Sequence, residues 1–212
     1  FGIPAEGWSR RKSPLSEHLR DVPFSKNEVI LLTVSDPAID EVLEEILPAL
    51  DGTQVVLHCA GARGAAICEG LAFEHTGVLH PIRAIPNGET MLTHQVWGIS
   101  GGDIAQARAR EIITLFEGDF LRVPDDEAAT YHAAMVIAGN FPLALQTISE
   151  ALIQSLGADE SVGRRALRTL HQGALENVSD NTIADVLTGP IARRDLVTIQ
   201  THFTVLQSID PE

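Results

Sequence analysis

The stretch from Glu28 to Gly61 constrains the fold more than any other part of the chain. "EVILLTVS" (Glu28 to Ser35) is nearly all apolar, as a strand covered on both faces must be, and "QVVLHCAG" (Gln54 to Gly61) repeats that pattern. Between them, "DPAIDEVLEEILPAL" opens with Asp36 as a helix cap and Pro37 at the first helical position, then spaces its apolar residues for a helix. Strand, helix and strand in this order predict parallel strands joined by a crossover helix, an arrangement that needs a layered α/β fold. The alternation continues through "GVLHPIRAI" (Gly77 to Ile85), "THQVWGIS" (Thr93 to Ser100) and the helix "DIAQARAREIITLFEG", and "PAEGWS" (Pro4 to Ser9) is an earlier short strand. A doubly wound α/β sheet is the expected architecture.

From about Asp125 the strand signal stops. "DDEAATYHAAMVIAGNFPLALQTISEALIQSLG" reads as one long helix kinked near Pro142, and "SVGRRALRTLHQGALENV" and "RRDLVTIQTHFTVLQSI" add two more helices. The expected organisation is an α/β domain over residues 1–122 and an all-α domain over 123–212. A net charge of −14, with 15 scattered Lys and Arg, argues against a general nucleic-acid binder, which needs a basic face. No continuous apolar run approaches the roughly 20 residues of a membrane helix and no basic-then-apolar segment opens the chain, so a cytoplasmic protein without a membrane partner is expected. Cys59 and Cys68 form neither a disulfide framework nor a metal pattern, and His58, His75, His80 and His94 match no ligand spacing, so no metal is expected.

"QVVLHCAGARGAA" runs from a buried strand into two glycines, as a phosphate-holding turn would. What precedes it decides against that reading. In dinucleotide-binding domains the second strand ends with the residue that reads the adenosine ribose, acidic for NAD or an Arg for the 2′-phosphate of NADP. Here "GWSRR" puts Ser9, Arg10 and Arg11 in that place, which favours NADP; the alternative is a solvated basic pair at a strand end. No G-x-G-x-x-G turn occurs in the sequence, and the first strand that carries it is expected to precede Phe1. The glycines after Ala60 therefore belong to a later strand, whose carboxyl end faces the crevice where cofactor and substrate meet. Ser35, Asp36, Cys59, Ala60 and Gly61 are the expected cofactor contacts there, with His58 and His80 lining the substrate side.

Taken in order, "LLTVSDPAIDEV", "VVLHCAGA", "GVLHPIRAI", "YHAAMVIAGNFPLAL" and "LTGPIARRD" resemble the family that joins a Rossmann-like NADP-oxidoreductase domain to a helical domain of unknown function, DUF2520. That family is similar to the 6-phosphogluconate dehydrogenase, ketopantoate reductase and pyrroline-carboxylate reductase group. The resemblance covers nearly the whole chain and departs from the family at the missing glycine turn. It implies a Rossmann-type sheet followed by an all-α domain of the 6-phosphogluconate-dehydrogenase-like type, with NADP as cofactor. Relatives in the wider group use a Lys one turn before an Asn on the long helix; Val136 stands there in this chain, so a lysine-based mechanism does not carry over.

On that helix, Tyr131 and His132 sit among alanines about two turns before Asn140. His132 suits proton transfer during hydride transfer, since imidazole titrates near neutrality; a buried histidine bonded to backbone is the competing reading. In "LTGPIARRD", Arg193 suits a substrate carboxylate with Arg194 beside it, against a solvated arginine pair at a helix start. The expected protein is an NADP-dependent oxidoreductase acting on a small carbonyl, imine or hydroxy acid in the cleft between its domains, with His132, Asn140 and Arg193 as catalytic residues and the helical domain forming a homodimer. A non-catalytic nucleotide sensor on the same fold is the alternative.

Overall fold

The computed structural model describes residues 7–8, 16–17, 28–67, 70–87 and 89–208. Ser9, Arg10, Arg11 and Cys68 lie outside the described residues. The chain divides into two compact units, residues 1–142 and 143–212.

In the first unit, strands β1 (Gly7–Trp8) and β2 (Ser16–Glu17) form a short parallel pair. The main sheet has five strands in sequence order: β3 (Val29–Leu32), β4 (Val55–His58), β5 (Thr76–Pro81), β6 (Val96–Gly101) and β7 (Asp119–Arg122). β3, β4 and β5 are mutually parallel, β6 runs antiparallel to β5, and β7 is parallel to β6. The reversal at β6 has a plain cause. A parallel neighbour needs a long crossover, usually helical, and residues 82–95 contain no helix among those described, so β6 folds back beside β5. β7 was not anticipated; all of its residues are exposed, which removes the apolar alternation by which a strand is recognised.

Each sheet face is covered as the apolar strands require. Helix α1 (Ile39–Ile46) packs Ile39, Val42, Leu43 and Ile46 onto Ile30, Leu32 and Val56, together with Ala60 and Ile67 of the turn after β4. Helix α2 (Asp103–Leu115) covers the other face, where Ala105, Ala109 and Ile113 meet Val55, Leu57, Leu79, Trp97 and Ile99. Burying one such aliphatic side chain contributes about 1.5–3 kcal/mol, so these two clusters hold the sheet unit together.

The single long helix expected after Asp125 is two, α3 (Ala128–Gly139) and α4 (Phe141–Ser155), broken at Asn140. Pro142 explains the break, since its ring collides with the carbonyl four residues earlier. By length and composition alone, an 18-residue window within Asp125–Ser155, of mean hydropathy 1.3, is apolar enough to cross a membrane. α3 lies within the first compact unit, which runs to Pro142. Ala128 and Tyr131 are the helix's buried residues.

The second unit holds most of α4, then α5 (Glu160–Val178), α6 (Ile183–Val186), α7 (Gly189–Ala192) and α8 (Leu196–Gln207). Asp159 and Asp195 cap α5 and α8 by accepting the amides of Val162 and Thr198. Among the described residues of this unit, Gly163 alone is buried, while Leu143, Leu156, Leu170, Leu175, Leu196 and Val197 lie open.

Candidate active site

The carboxyl ends of β3, β4 and β5 lie side by side because the strands are parallel. His58 closes β4 opposite Val78, and His80 is two residues further along β5, so both histidines project from the same sheet face. They meet different surroundings.

His58 is fully buried. The amide of Ala60 donates to its Nδ1 at 3.2 Å, which leaves the ring proton on Nε2 to be donated to the carbonyl of Gly64, also at 3.2 Å. Burial holds its pKa below the ordinary range, with Arg63 adding to the effect against the Gly64 carbonyl and the carboxylates of Asp36 and Asp125. The expectation that His58 lines a substrate cleft is therefore corrected: it is the neutral core around which the turn winds. Arg63 ties the same turn to α1 through two contacts with Asp40, at 2.7 and 3.3 Å. Asp125 accepts the amide of Ala65 at 2.5 Å, and a side chain at Gly64 would fall 3.1 Å from that carboxylate. The amides of Ala60, Arg63, Ala65 and Ile67 are thus spent within the protein, where a phosphate-holding turn would leave them free.

His80 is half-buried and meets helix α3. Its Nδ1 lies 2.6 Å from the hydroxyl of Tyr131, with the two rings edge-to-face at 5.6 Å. His132 follows, its ring centroid 6.4 Å from that of His80. Burial, and next the proximity of His132, push the pKa of His80 down, against a smaller opposing pull from Asp36. Burial pushes Tyr131 up to about 12, so the phenol keeps its proton and shares a neutral hydrogen bond with Nδ1 of His80. Two glycines make room for this pair. A Cβ at Gly61 would stand 3.0 Å from Cε1 and Nε2 of His80, and one at Gly98 would collide with the Tyr131 hydroxyl. Gly61 is therefore there for the His80 ring. Gly98 was missed in the sequence, although a glycine inside a strand pattern signals close approach of another group.

Ser35 and Asp36 are exposed at the end of β3, and Ser35 makes no side-chain capping bond with the 3-10 turn it precedes, so its hydroxyl is uncommitted there. Cys59 is half-buried, and burial pushes its thiol up to about 11, too high for a nucleophile at neutral pH. Ala60 packs in the α1 cluster. Asn140 is exposed at the break between α3 and α4. Arg193 and Arg194 belong to the second unit, both exposed, with Arg194 at a left-handed φ of 53° at the turn before α8. The structure brings together His80, Tyr131 and His132, beside the strand ends carrying Ser35 and Gly61. The roles of Arg63 and Asp125 were not anticipated, because both depend on contacts across 23 or more residues of chain.

No curated protein matches the chain. Among solved structures, a protein of Thermotoga maritima is 26% identical with a TM-score of 0.73, covering 86% of this chain and 71% of its own. A provisionally assigned NADP oxidoreductase of Bacteroides fragilis is 19% identical with a TM-score of 0.67, covering 84% of this chain and 68% of its own. Pyrroline carboxylate reductase of Plasmodium falciparum, solved with NADP bound, is 11% identical with a TM-score of 0.60, covering 85% of this chain and 72% of its own. These similarities establish a Rossmann-like α/β unit followed by a helical one. The sequence family described as a domain of unknown function, DUF2520, matches residues 95–212, and with more than half of its length so matched the chain belongs to that family.

Proposed function

We propose that the protein is an NADP-dependent oxidoreductase for a small carbonyl, imine or hydroxy acid, with His132 as the group that exchanges a proton with the substrate. The observation that carries this reading is the meeting of His80, Tyr131 and His132 at the carboxyl end of β5, where open α/β sheets bind ligands. NADP is supported by the Plasmodium falciparum structure solved with it bound and by the Bacteroides fragilis protein named for it. The residues present suit its nicotinamide end: the exposed Ser35 hydroxyl makes no capping bond, and the Cys59–Gly61 turn offers no reactive thiol. Ser35, Asp36 and the Cys59–Gly61 backbone would hold that end, and NADPH when bound supplies the hydride.

The protein's own part is positional and acid–base. Tyr131 holds the His80 ring in place through Nδ1, and burial disfavours the ring's charged form. A neutral His80 beside His132 lets a single proton serve the pair without leaving two imidazolium charges in a confined space. His132 gives that proton to the oxygen or nitrogen that gains charge as the carbonyl or imine is reduced, and takes it back in the reverse direction.

His132→Gln should lower turnover about a hundredfold or more while leaving NADPH affinity nearly unchanged. Loss of both together would show that His132 serves the cofactor site or the fold. Tight NADPH binding with no turnover of any carbonyl or imine by the wild-type protein would favour the nucleotide sensor.

We propose also that the helical unit covers its apolar faces with a second copy of the chain. A unit whose only buried described residue is Gly163 has no core of its own, and exposed leucines on every helix longer than four residues require cover. Light scattering at micromolar concentration should give a dimer mass that survives moderate salt; a monomer mass overturns this.

A further inference from the structure

A second site lies away from the histidine pair. β6 carries Gly98 against Tyr131, and three residues later Gly101 ends the strand, about 10 Å further along at the usual strand rise. There an open cavity of about 290 Å³ is lined by Gly101, Gln106, Arg122, Val123, Pro124 and Asp125. Its size is at the small end of ligand pockets.

Its polar groups are arranged rather than scattered. Gln106, 9% exposed, donates from Nε2 to the carbonyl of Gly101 at 2.5 Å and accepts the Arg122 Nε–H on Oε1 at 2.9 Å. That chain of bonds holds one edge of the guanidinium and leaves both Nη groups without a partner among the described residues. Asp125 spends Oδ1 on the amide of Ala65 and keeps Oδ2 unpaired among the described residues. The two charged groups share a cavity, yet no ion pair within 4.0 Å joins them. Val123 and Pro124 add aliphatic lining to the same cavity.

We propose that this cavity binds a small amphoteric molecule of the amino-acid type. A pre-oriented guanidinium with two free Nη groups is complementary to a carboxylate. A simple carboxylate would also face the free oxygen of Asp125, and a simple ammonium would face Arg122; like charges so placed disfavour either alone. A molecule with both charges satisfies both groups, and its side chain meets Val123 and Pro124. Because Gln106 already fixes the guanidinium, little side-chain freedom is lost on binding.

The test is isothermal titration calorimetry on the full chain with glycine, L-alanine and L-valine. Two fragments of valine serve as controls: 3-methylbutanoate, which lacks the amino group, and isobutylamine, which lacks the carboxylate. At least one amino acid should bind, and valine should bind roughly tenfold or more tightly than either fragment. Asp125→Asn keeps an oxygen for the Ala65 amide and removes the charge, so it should bring valine and 3-methylbutanoate to within about threefold of each other. Arg122→Gln should weaken the amino acid roughly tenfold. Absence of heat from all three amino acids at millimolar concentrations overturns the proposal, as does equal binding of valine and its fragments by the wild-type protein. The wild-type comparison stands even where a variant fails to fold.

Discussion

His58 and His80 end neighbouring strands, project from one sheet face and flank the same glycine turn, yet they do opposite work. His58 has both ring nitrogens bonded within its own turn and no access to solvent. His80 has one nitrogen held by a helix from a distant part of the chain and the other without a bonded partner among the described residues. Identical residue type and near-identical position therefore fix neither role. What decides it is which segment arrives to cover the ring, the chain's own next six residues or α3.

The largest difference should come from replacing each ring by leucine. His58→Leu leaves the amide of Ala60 and the carbonyl of Gly64 without partners in a dry interior, a cost of about 1–3 kcal/mol for each group. His80→Leu leaves one group, the Tyr131 hydroxyl, without its partner, about 1–3 kcal/mol, so it should cost roughly half as much stability and lower turnover instead. Urea denaturation of both variants checks this, and equal loss of stability would erase the distinction. Next is Gly98→Ala, whose added methyl meets the Tyr131 hydroxyl and should cost about 1–3 kcal/mol while displacing His80. Gly139→Ala, on the same helix as Tyr131 but facing open space, should stabilise by about 0.5–1 kcal/mol. Thermal melts that rank these two the other way would put α3 elsewhere.

A smaller effect is set by pH. The folded pKa of His58 is depressed, so below the unfolded value of about 6.5 the unfolded chain takes up a proton that the native ring refuses. Stability should be full above that pH and decline as pH falls toward the folded value. His58→Gln should flatten this part of the urea midpoint profile between pH 7.5 and 5.5. An unchanged slope would show that His58 takes its proton without disturbing the turn.

The parallel β3–α1–β4 unit was legible because its apolar period is a local signal, but Asp36 is not the cap expected: it and Pro37 lie in a 3-10 turn that Ser35 precedes, and α1 starts at Ile39. The antiparallel return of β6 and the exposed strand β7 were not, since one depends on a missing crossover and the other has no buried face. At the site, His80, Tyr131 and His132 were named from residue type and position, and the structure joins them. His58 was misassigned because its partners, Ala60 and Gly64, are backbone groups that a sequence cannot show as donors or acceptors. Asp125 and Arg63 belong to the same class of contact, made by folding across long loops.

The smallest expected effect separates the two histidines by their titration alone. Proximity to His132 is the second cause, after burial, of the depressed pKa of His80, and it is no cause of the depression at His58. Replacing His132 with Gln removes that neighbouring charge and leaves burial in place. The His80 midpoint should therefore move up but stay below that of a free histidine, while His58 should not move. Ring-proton NMR titration of the wild-type and H132Q proteins resolves the two signals. The sign matters: a His80 midpoint that falls would mean that His132 had been accepting a hydrogen bond from protonated His80, and a His58 midpoint that moved with it would mean that the glycine turn transmits the change. Either result would make one coupled system of what the geometry presents as a structural histidine and a chemical one.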